Sequence, residues 1–196
     1  MTDDWHDPYF LPDVPVLRNR LGLRDAAKLD RKERLLVSHR IRAGIPEGRF
    51  NLAHLQAIHR HLFQDVYDWA GELRTVEIAK GGNHFLFMRS IATGMADVHN
   101  RLIGDDFLRG LSADAFADQA GRIIGDINFI HPFREGNGRT QLQYLKQLAA
   151  QAGHDLDLSL LNTQPGRWIE ASIAAHNTVY DPMAEMIRSA IRPDRE

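Results

Sequence analysis

The chain has 196 residues, of which 43% are hydrophobic and 26% are charged, a balance typical of a folded globular domain rather than a disordered chain. Its formal net charge of −2 provides no basic field, so direct binding to nucleic acid or to an anionic membrane is not expected. The absence of cysteine excludes disulfide bonds, thiolate metal sites and a cysteine nucleophile.

The beginning of the chain, residues 1–8, is acidic and lacks the apolar run of a secretory signal. No apolar stretch in the sequence approaches the roughly 20 residues that are needed to span a bilayer. We therefore expect a cytoplasmic protein that has no membrane-spanning segment.

Two helices are predicted in the first third of the chain. Apolar residues at helical spacing run through residues 25–43 and stop at a glycine. Asn51 is a suitable N-cap for a second helix, which we expect to continue to about residue 69. Three histidines on this helix lack the spacing of a zinc site, so His59 is expected to be a packed or hydrogen-bonding residue.

The next segment changes to the alternating pattern of a β-strand. Residues 73–79 alternate and are rich in β-branched side chains, two glycines follow, and residues 84–87 form a second short extended run. This pattern predicts a β-hairpin, which is the only β structure that the sequence indicates clearly.

Helical spacing returns at Ser90 and continues towards the end of the chain. Ser112 is a suitable N-cap for an apolar helix that ends before His131, since the proline that follows disfavours helical backbone there. No repeat or linker interrupts the pattern, so we predict one all-α domain with a small hairpin. Further helices are predicted over residues 138–153, 166–179 and 182–192.

Residues 131–139, His-Pro-Phe-Arg-Glu-Gly-Asn-Gly-Arg, combine several groups that are suited to phosphate chemistry. The glycine-rich residues 136–138 can expose consecutive backbone N–H groups at a helix N-terminus, where an anion is favoured. Arg139 suits a phosphate oxygen, Glu135 suits a Mg²⁺ ion bound to phosphates, and His131 can deprotonate a hydroxyl. The spacing alone also fits a simple helix-entry turn, because short glycine loops are common.

The same nine residues resemble the signature of the Fic (filamentation induced by cAMP) family, HxFx(D/E)GNGRxxR. The resemblance implies the Fic fold, a helical bundle around the motif loop and its following helix, with a β-hairpin flap. It also implies a single Fic domain over residues 1–196, with a core at about 50–192 and an N-terminal arm and helix at 1–45. Similarity to the bacterial FicT toxins extends to residues 7–9, 17–22, 58–59, 68–71 and 74–82.

Fic proteins typically transfer AMP from ATP to a target hydroxyl and release diphosphate, so the resemblance implies a protein adenylyltransferase that uses ATP and Mg²⁺. By this resemblance His131 is the base, and Phe133 fixes the loop against the core. Glu135 is assigned as the Mg²⁺ ligand between the α- and β-phosphates. Phosphate binding is assigned to Arg139 and to an anion hole formed by Gly136, Asn137 and Gly138.

The resemblance gives the hairpin a role as well. In Fic proteins a flap beside the site aligns a segment of the target by strand addition, which brings the target hydroxyl into line. An ordinary surface hairpin is the alternative interpretation. The flap residues in this chain are Thr75, Val76, Glu77, Ile78, Ala79, Lys80, Gly81 and Gly82.

The chain departs from the Fic signature at one position. The second motif arginine falls at position 142, where this chain has Leu142. In Fic proteins that arginine contacts the γ-phosphate and pairs with the glutamate of an inhibitory helix. Losing a charge-assisted contact costs about 1.5–3 kcal/mol, enough to weaken or misorient ATP. Leu142 therefore fits a slow enzyme, an altered nucleotide pose or an inactive protein.

The resemblance also implies partners. FicT toxins modify the gyrase B subunit and the ATPase subunit of topoisomerase IV, which are therefore the implied targets. Self-inhibited Fic proteins carry the pattern (S/T)xxxE(G/N), and no serine or threonine of this chain is followed four residues later by glutamate. We therefore expect the inhibitor to be a separate small antitoxin.

Two other functions stay open from the sequence. A related transferase that moves another group, such as phosphate, is opposed by the intact loop from Glu135 to Gly138. A catalytically weak protein that binds nucleotide or target is favoured by Leu142, whereas His131 and Glu135 oppose it.

Overall fold

The computed structural model describes residues 7–163 and 165–193, and within them eight α-helices and one two-stranded hairpin form the chain. This architecture confirms the predicted all-α domain with a small hairpin. The helices are α1 Ala26–Arg42, α2 Leu52–Phe63, α3 Ile91–Gly104, α4 Ala113–Ile130, α5 Asn137–Ala152, α6 Leu158–Asn162, α7 Pro165–His176 and α8 Asp181–Ala190.

The hairpin pairs β1, Ala79–Lys80, with β2, Asn83–His84, in an antiparallel arrangement. It lies between α2 and α3, where the sequence predicts it. Two short 3₁₀ turns, Met88–Ser90 and Asp106–Leu108, precede and follow α3.

Side-chain caps begin several of the helices. The Asn51 side chain accepts a hydrogen bond from the His54 N–H at the start of α2, and Ser112 accepts one from the Ala115 N–H at the start of α4. These caps satisfy backbone donors that have no partner within the helix, as the sequence predicts for both residues. Asp25 caps α1 in the same way.

Helix α4 lies at the centre of the bundle, and it carries a long series of buried apolar residues. Two of its glycines permit close helix packing: a Cβ at Gly121 would stand 2.9 Å from the backbone of Ala184 on α8. A Cβ at Gly125 would stand 2.8 Å from the Cβ of Ala175 on α7. This central helix ends at the motif loop, so the loop is anchored in the densely packed part of the domain.

The second helix ends earlier than predicted, at Phe63 rather than near residue 69. The N–H groups of Val66 and Tyr67 both bond back to the carbonyl of Phe63, which turns the chain. This turn brings Tyr67 and Trp69 under the motif loop, where the two rings stack with centroids 4.3 Å apart. Burial of these side chains outweighs continuation of the helix.

The hairpin is shorter than its sequence pattern predicts, with two residue pairs in its ladder. Its predicted first strand, residues 73–79, pairs elsewhere: the Arg74 N–H donates to the carbonyl of Pro132 in the motif loop. The short helix α6, which Asp157 caps, is a further element that the sequence pattern did not predict.

The N-terminal arm, residues 7–24, packs on the motif loop and on the base of the hairpin. Tyr9 is buried, and Asp7 forms an ion pair with Arg134 of the motif loop. The acidic residues 1–6, on which we predicted the absence of a secretory signal, lie outside the described residues. In the described part of the chain, every helix falls short of the length and apolarity that crossing a membrane would require.

Candidate active site

The motif loop connects α4 to α5 and begins at His131. This residue has left-handed backbone angles, φ 47° and ψ 62°, and its N–H still bonds to the carbonyl of Ile127. The proline that follows disfavours helix at this position, as the sequence predicts. The left-handed turn directs the His131 side chain away from the helix axis and towards the hairpin.

The His131 ring is held from two sides. Its Nδ1 lies 3.2 Å from the carbonyl of Asn128, so Nδ1 carries the proton that is donated there, and Nε2 keeps a lone pair. The Phe85 ring stacks on the imidazole with centroids 3.8 Å apart. Burial lowers the pKa of His131 to about 4, because the charged form loses its hydration. The imidazole is therefore neutral and able to accept a proton at neutral pH.

Helix α5 begins immediately after Gly136, whose φ of +82° is favoured only by glycine. A Cβ here would also stand 2.4 Å from the ring of Phe63, so the position has no room for a side chain. The first N–H groups of a helix have no acceptor within it, and those of α5 point out of its N-terminus beside His131. These are the N–H groups that the sequence predicts to form the anion hole.

The carboxylate of Glu135 lies at this helix N-terminus. Its Oε1 accepts a hydrogen bond of 2.9 Å from the Gly136 N–H and stands 3.4 Å from an Arg139 nitrogen. The Glu135 side chain is 46% exposed, so it is free to turn towards a ligand. The N-terminus thus binds an anionic oxygen in this structure, and that oxygen belongs to the predicted metal ligand itself.

Asn137 uses its side chain to close the loop. Its Oδ1 accepts from the Phe133 N–H at 3.0 Å, and its Nδ2 donates to the Phe133 carbonyl at 2.7 Å. The side chain is buried, so only the backbone of Asn137 is available to a phosphate. Phe133 points into the core with 1% of its surface exposed, in the orientation that the Fic resemblance implies.

Arg139 lies on the first turn of α5 and contacts Glu33 of α1. Its guanidinium stands 2.5 Å from Glu33 Oε1, and it lies over the Phe63 ring at 4.7 Å. The other oxygen of Glu33 accepts a hydrogen bond from the Tyr67 hydroxyl. Glu33 is nearly fully buried, and therefore a buried carboxylate fixes the arginine that the sequence assigns to phosphate.

Leu142 lies one turn further along α5 than Arg139. Its side chain is half-buried and packs against the hydrophobic core. The second motif arginine of the Fic signature is thus replaced here by an apolar residue that contributes to packing.

A cavity of ≈ 510 Å³ brings the motif loop and the hairpin together. From the motif loop, His131 and residues 134–138 line it, and from the hairpin side Ile78, Ala79 and Lys80 do so. Arg139 lines a neighbouring cavity of ≈ 480 Å³, which shares Arg134 and Glu135 with the first. The residues predicted for proton transfer, metal binding and the anion hole therefore meet at one opening.

The predicted flap residues divide into an anchored base and an open tip. Thr75 bonds through its N–H to the Tyr9 hydroxyl, and Glu77 accepts from the Met88 N–H. The carbonyl of Val76 accepts from Arg74. Gly81 and Gly82 form the turn at the tip, where both have positive φ. The short stretch between base and tip borders the cavity.

Arg74 connects this base to the motif loop, a role that the sequence did not indicate. Its side chain is fully buried and donates to the carbonyls of Val76, Leu86 and His131, the last at 2.9 Å, and it pairs with Glu77. Burial lowers its pKa, but the carboxylate of Glu77 opposes that shift. The flap base is thereby fixed relative to the backbone of His131.

Sequence reasoning also missed Glu33, Tyr67 and Phe85, and it left His59 without a role at the site. Each of these residues reaches the motif from a distant part of the chain, and its local pattern does not indicate a contact with the motif. Their contacts depend on how the helices pack, which a single sequence does not display.

Comparison with known proteins decides the family. A model of the Fic/DOC family matches residues 49–149, about half of the chain. The chain belongs to the Fic/DOC family. This membership agrees with the resemblance on which the assignment of residues 131–139 rests.

Similarity to proteins named as protein adenylyltransferases extends along nearly the whole chain. The probable protein adenylyltransferase y4lH of Sinorhizobium fredii is 42% identical over 186 residues, which are 94% of this chain and 96% of that protein. The protein adenylyltransferase VbhT of Bartonella schoenbuchensis is 37% identical over 186 residues, which are 93% of this chain and 38% of VbhT.

The fold is shared with solved Fic structures. The crystal structure of the BepC protein of Bartonella tribocorum with bound AMPPNP has a TM-score of 0.87 at 26% identity, covering 95% of this chain and 97% of that chain. This likeness confirms the predicted Fic fold. The names of the relatives confirm the predicted enzyme class, a protein adenylyltransferase.

Proposed function

We propose that this Fic protein transfers AMP from ATP to a hydroxyl side chain of a protein that binds along the flap. One observation carries the proposal: a neutral imidazole and a helix N-terminus that holds an anionic oxygen open on the same cavity. Acceptor activation and phosphate binding are the two functions that nucleotidyl transfer requires.

His131 acts as the general base in this proposal. Its Nε2 accepts the proton of the target hydroxyl while the hydroxyl oxygen bonds to the α-phosphorus. The bond from the α-phosphorus to the oxygen shared with the β-phosphorus breaks, and diphosphate leaves with the electron pair. The hydrogen bond from Nδ1 to Asn128 keeps the imidazole in the tautomer that this transfer needs.

The N-terminus of α5 stabilises the negative charge that develops on the phosphates. The N–H groups of residues 136–138 and the positive end of the helix dipole are already aimed at the cavity. Arg139 adds a positive charge at the neighbouring opening. The backbone donors are fixed in direction by folding, but the Glu135 carboxylate that accepts from the Gly136 N–H must turn away before a phosphate binds there.

The chemistry of the site fits one Mg²⁺ ion. Glu135 offers a single exposed carboxylate beside the anion hole, and Mg²⁺ bound to phosphates usually takes one or two carboxylates from the protein. When bound there, the ion would offset the charge of the phosphates. Nothing else in the cavity is needed to hold it, because the phosphates supply further oxygens.

The flap supplies the place for the target. Ile78, Ala79 and Lys80 line the cavity, and Ala79 and Lys80 form one strand of the two-residue ladder, so their backbone borders the site beside His131. A target segment that pairs with this edge would bring a hydroxyl towards Nε2. The FicT resemblance proposes the gyrase B subunit and the topoisomerase IV ATPase subunit as targets, and a separate small antitoxin as the inhibitor.

The transferred group is tested with ATP labelled on either the α- or the γ-phosphate, using Mg²⁺, purified gyrase B subunit as acceptor, and His131→Ala as control. We expect α-label on the acceptor with the unaltered chain and none with the variant. Transfer of γ-label alone would instead establish a phosphotransferase. Nucleotide binding without transfer of either label would support the weak-binding alternative.

A second variant measures how much the presence of Leu142 in place of the motif arginine weakens ATP binding. Because a charge-assisted contact is worth about 1.5–3 kcal/mol, we expect Leu142→Arg to lower the KM for ATP by about tenfold or more. Leu142→Met, which retains an apolar side chain of similar volume, should leave KM unchanged. Equal KM values for the arginine and methionine variants would show that position 142 does not reach the nucleotide.

A further inference from the structure

His59 connects helix α2 to the motif loop through both of its ring nitrogens. Its side chain is completely buried. Nδ1 accepts a hydrogen bond of 2.8 Å from the Gly71 N–H, and therefore the ring proton is on Nε2. Nε2 in turn donates to the backbone carbonyl of Glu135 at 2.9 Å. The tautomer is thus fixed by a donor on one side and an acceptor on the other.

Aromatic packing holds the ring in this position. It stacks on Phe133 of the motif loop, with centroids 3.9 Å apart and planes inclined by 19°. On its own helix it contacts Phe63, at 4.7 Å between centroids. Phe63 is also the side chain that closes the space behind Gly136. His59 therefore lies directly behind the peptide bond that opens the anion hole.

The planarity of the peptide bond couples the direction of the Glu135 carbonyl to the direction of the Gly136 N–H. In a trans peptide the C=O of one residue and the N–H of the next lie in one plane and point in opposite directions. The hydrogen bond from His59 holds the Glu135 carbonyl on the core side. The Gly136 N–H must then point to the cavity side, where it is found donating to the Glu135 carboxylate.

We propose that His59 is a positioning residue for nucleotide binding: by holding the Glu135 carbonyl, it aims the Gly136 N–H at the phosphates. This inference rests on the proposed function, because it assigns the anion hole to a nucleotide. Without the hydrogen bond, Gly136, which is free to adopt other backbone angles, turns its N–H away.

The neutral ring carries the single donor that the contact requires, because Nδ1 accepts from the Gly71 N–H and Nε2 donates to the Glu135 carbonyl. A charged imidazolium would carry a proton on Nδ1 facing the Gly71 N–H. The neutral form is the only one that satisfies both partners.

A packing role without positioning is separated from the proposal by two substitutions. His59→Phe preserves an aromatic ring for the stack on Phe133 but removes the donor and the acceptor. His59→Gln places an amide nitrogen near the position of Nε2, so it restores the donor to Glu135. Thermal unfolding and circular dichroism establish that each variant is folded before binding is measured.

The probe is inorganic pyrophosphate with Mg²⁺, whose binding does not depend on AMP transfer. We expect His59→Phe to weaken pyrophosphate binding by about tenfold, the cost of one misdirected hydrogen bond, and His59→Gln to remain within about threefold of the unaltered chain. The amide resonance of Gly136 should shift on binding in the unaltered chain and in His59→Gln, but not in His59→Phe.

Equal binding by all three proteins would overturn the proposal, and so would equal loss in folded phenylalanine and glutamine variants. If His59→Phe does not fold, His59→Asn replaces it, because the shorter amide does not reach the Glu135 carbonyl. Pyrophosphate binding is measured apart from catalysis. A chain whose pyrophosphate binding depends on His59, but which transfers no AMP, would therefore disprove the proposed function and leave the role of His59 standing.

Discussion

Gly136 is the residue at which backbone conformation and packing constrain the site most strongly. Its positive φ excludes most side chains, and the Phe63 ring stands 2.4 Å from the position that a Cβ would take. We expect Gly136→Ala to lower the free energy of unfolding by roughly 1–3 kcal/mol and to remove most of the AMP transfer. Urea denaturation and the α-label assay measure the two effects.

Gly138 provides the matched control for this prediction. It lies two residues further along the same loop, within α5, and a Cβ there would have no heavy atom within 4 Å. Because alanine favours helix over glycine, Gly138→Ala should leave stability unchanged or raise it by up to about 1 kcal/mol. Similar destabilisation by both substitutions would contradict the special role of Gly136.

The pKa of His131 predicts the pH dependence of the reaction. Burial lowers this pKa to about 4, so the imidazole that we propose as the base stays unprotonated as the pH falls below the ordinary histidine value of about 6.5. The acidic limb of kcat/KM reports the free enzyme, and we expect it to lie below pH 6.5. An acidic limb at or above that value would show that the imidazole is hydrated like free histidine.

The Phe85 ring contributes to the burial of His131, so removing this ring should shift the midpoint of the acidic limb of kcat/KM. Phe85→Ala exposes the imidazole, favours its charged form and should raise the midpoint of the acidic limb towards pH 6.5. Phe87→Ala, at an exposed position of the same segment, should leave the midpoint where it is.

At the residue scale, the sequence predicted the groups that lie together in the chain and missed those that reach the site from elsewhere. His131, Glu135 and residues 136–138 were identified because a loop of nine residues carries them all. Phe85 and Glu33 were not, since nothing in their local patterns distinguishes them from ordinary core or surface positions. Their roles depend on distances that only packing determines.

Between elements, the buried Glu33 connects α1 to the first turn of α5. It is bound by Arg139 on one oxygen and by the Tyr67 hydroxyl on the other. Because hydrogen bonds to charged groups contribute about 1.5–3 kcal/mol, we expect Glu33→Gln and Tyr67→Phe each to lower the free energy of unfolding by that amount. Their effects, measured by urea denaturation, should be less than additive in the double variant.

The ion pair of Asp30 with Arg34, one turn away on α1, is the control for this cycle. Both side chains are more than half exposed, so Asp30→Asn should change stability by no more than about 0.5 kcal/mol. A cost for Glu33→Gln as small as that of Asp30→Asn would show that water replaces the buried contacts.

Helix boundaries show how far local patterns extend. The starts of α2 and α4 were predicted from Asn51 and Ser112, because a cap acts on its own helix. The end of α2 was predicted too late, since residues 64–72 turn in order to bury Tyr67 and Trp69 against other parts of the chain. The hairpin was predicted too long for the same reason: its first strand bonds to the motif loop.

At the scale of the whole molecule, three histidines in its described part, whose pKa is lowered by burial, make stability depend on pH. Burial lowers the pKa of His59 and of His131 to about 4, and it lowers that of His54 as well. In the unfolded chain each binds a proton near pH 6.5, so below that value the unfolded state holds more protons than the folded state. The contribution of these histidines to the free energy of unfolding is therefore complete above pH 6.5, and it decreases as the pH falls towards 4.

The contribution of His59 alone should be about 3 kcal/mol over this interval. Denaturant unfolding at a series of pH values measures it, and His59→Gln should make the dependence shallower between pH 6.5 and 4. His84→Gln, at an exposed position of the hairpin, serves as control and should leave it unchanged. An equally steep dependence in His59→Gln would place the acid sensitivity in other groups.

The stack of Phe85 on His131 bears on which nucleophile the enzyme accepts. Under the proposed function, a base that activates a protein hydroxyl can activate water equally well, and the result would be futile hydrolysis of ATP. One face of the imidazole is covered by a ring at van der Waals distance, which leaves no room there for a water molecule. The Phe85 ring therefore leaves the edge of the imidazole that carries Nε2 open to an incoming nucleophile, and under the proposed function that edge is where the target hydroxyl binds.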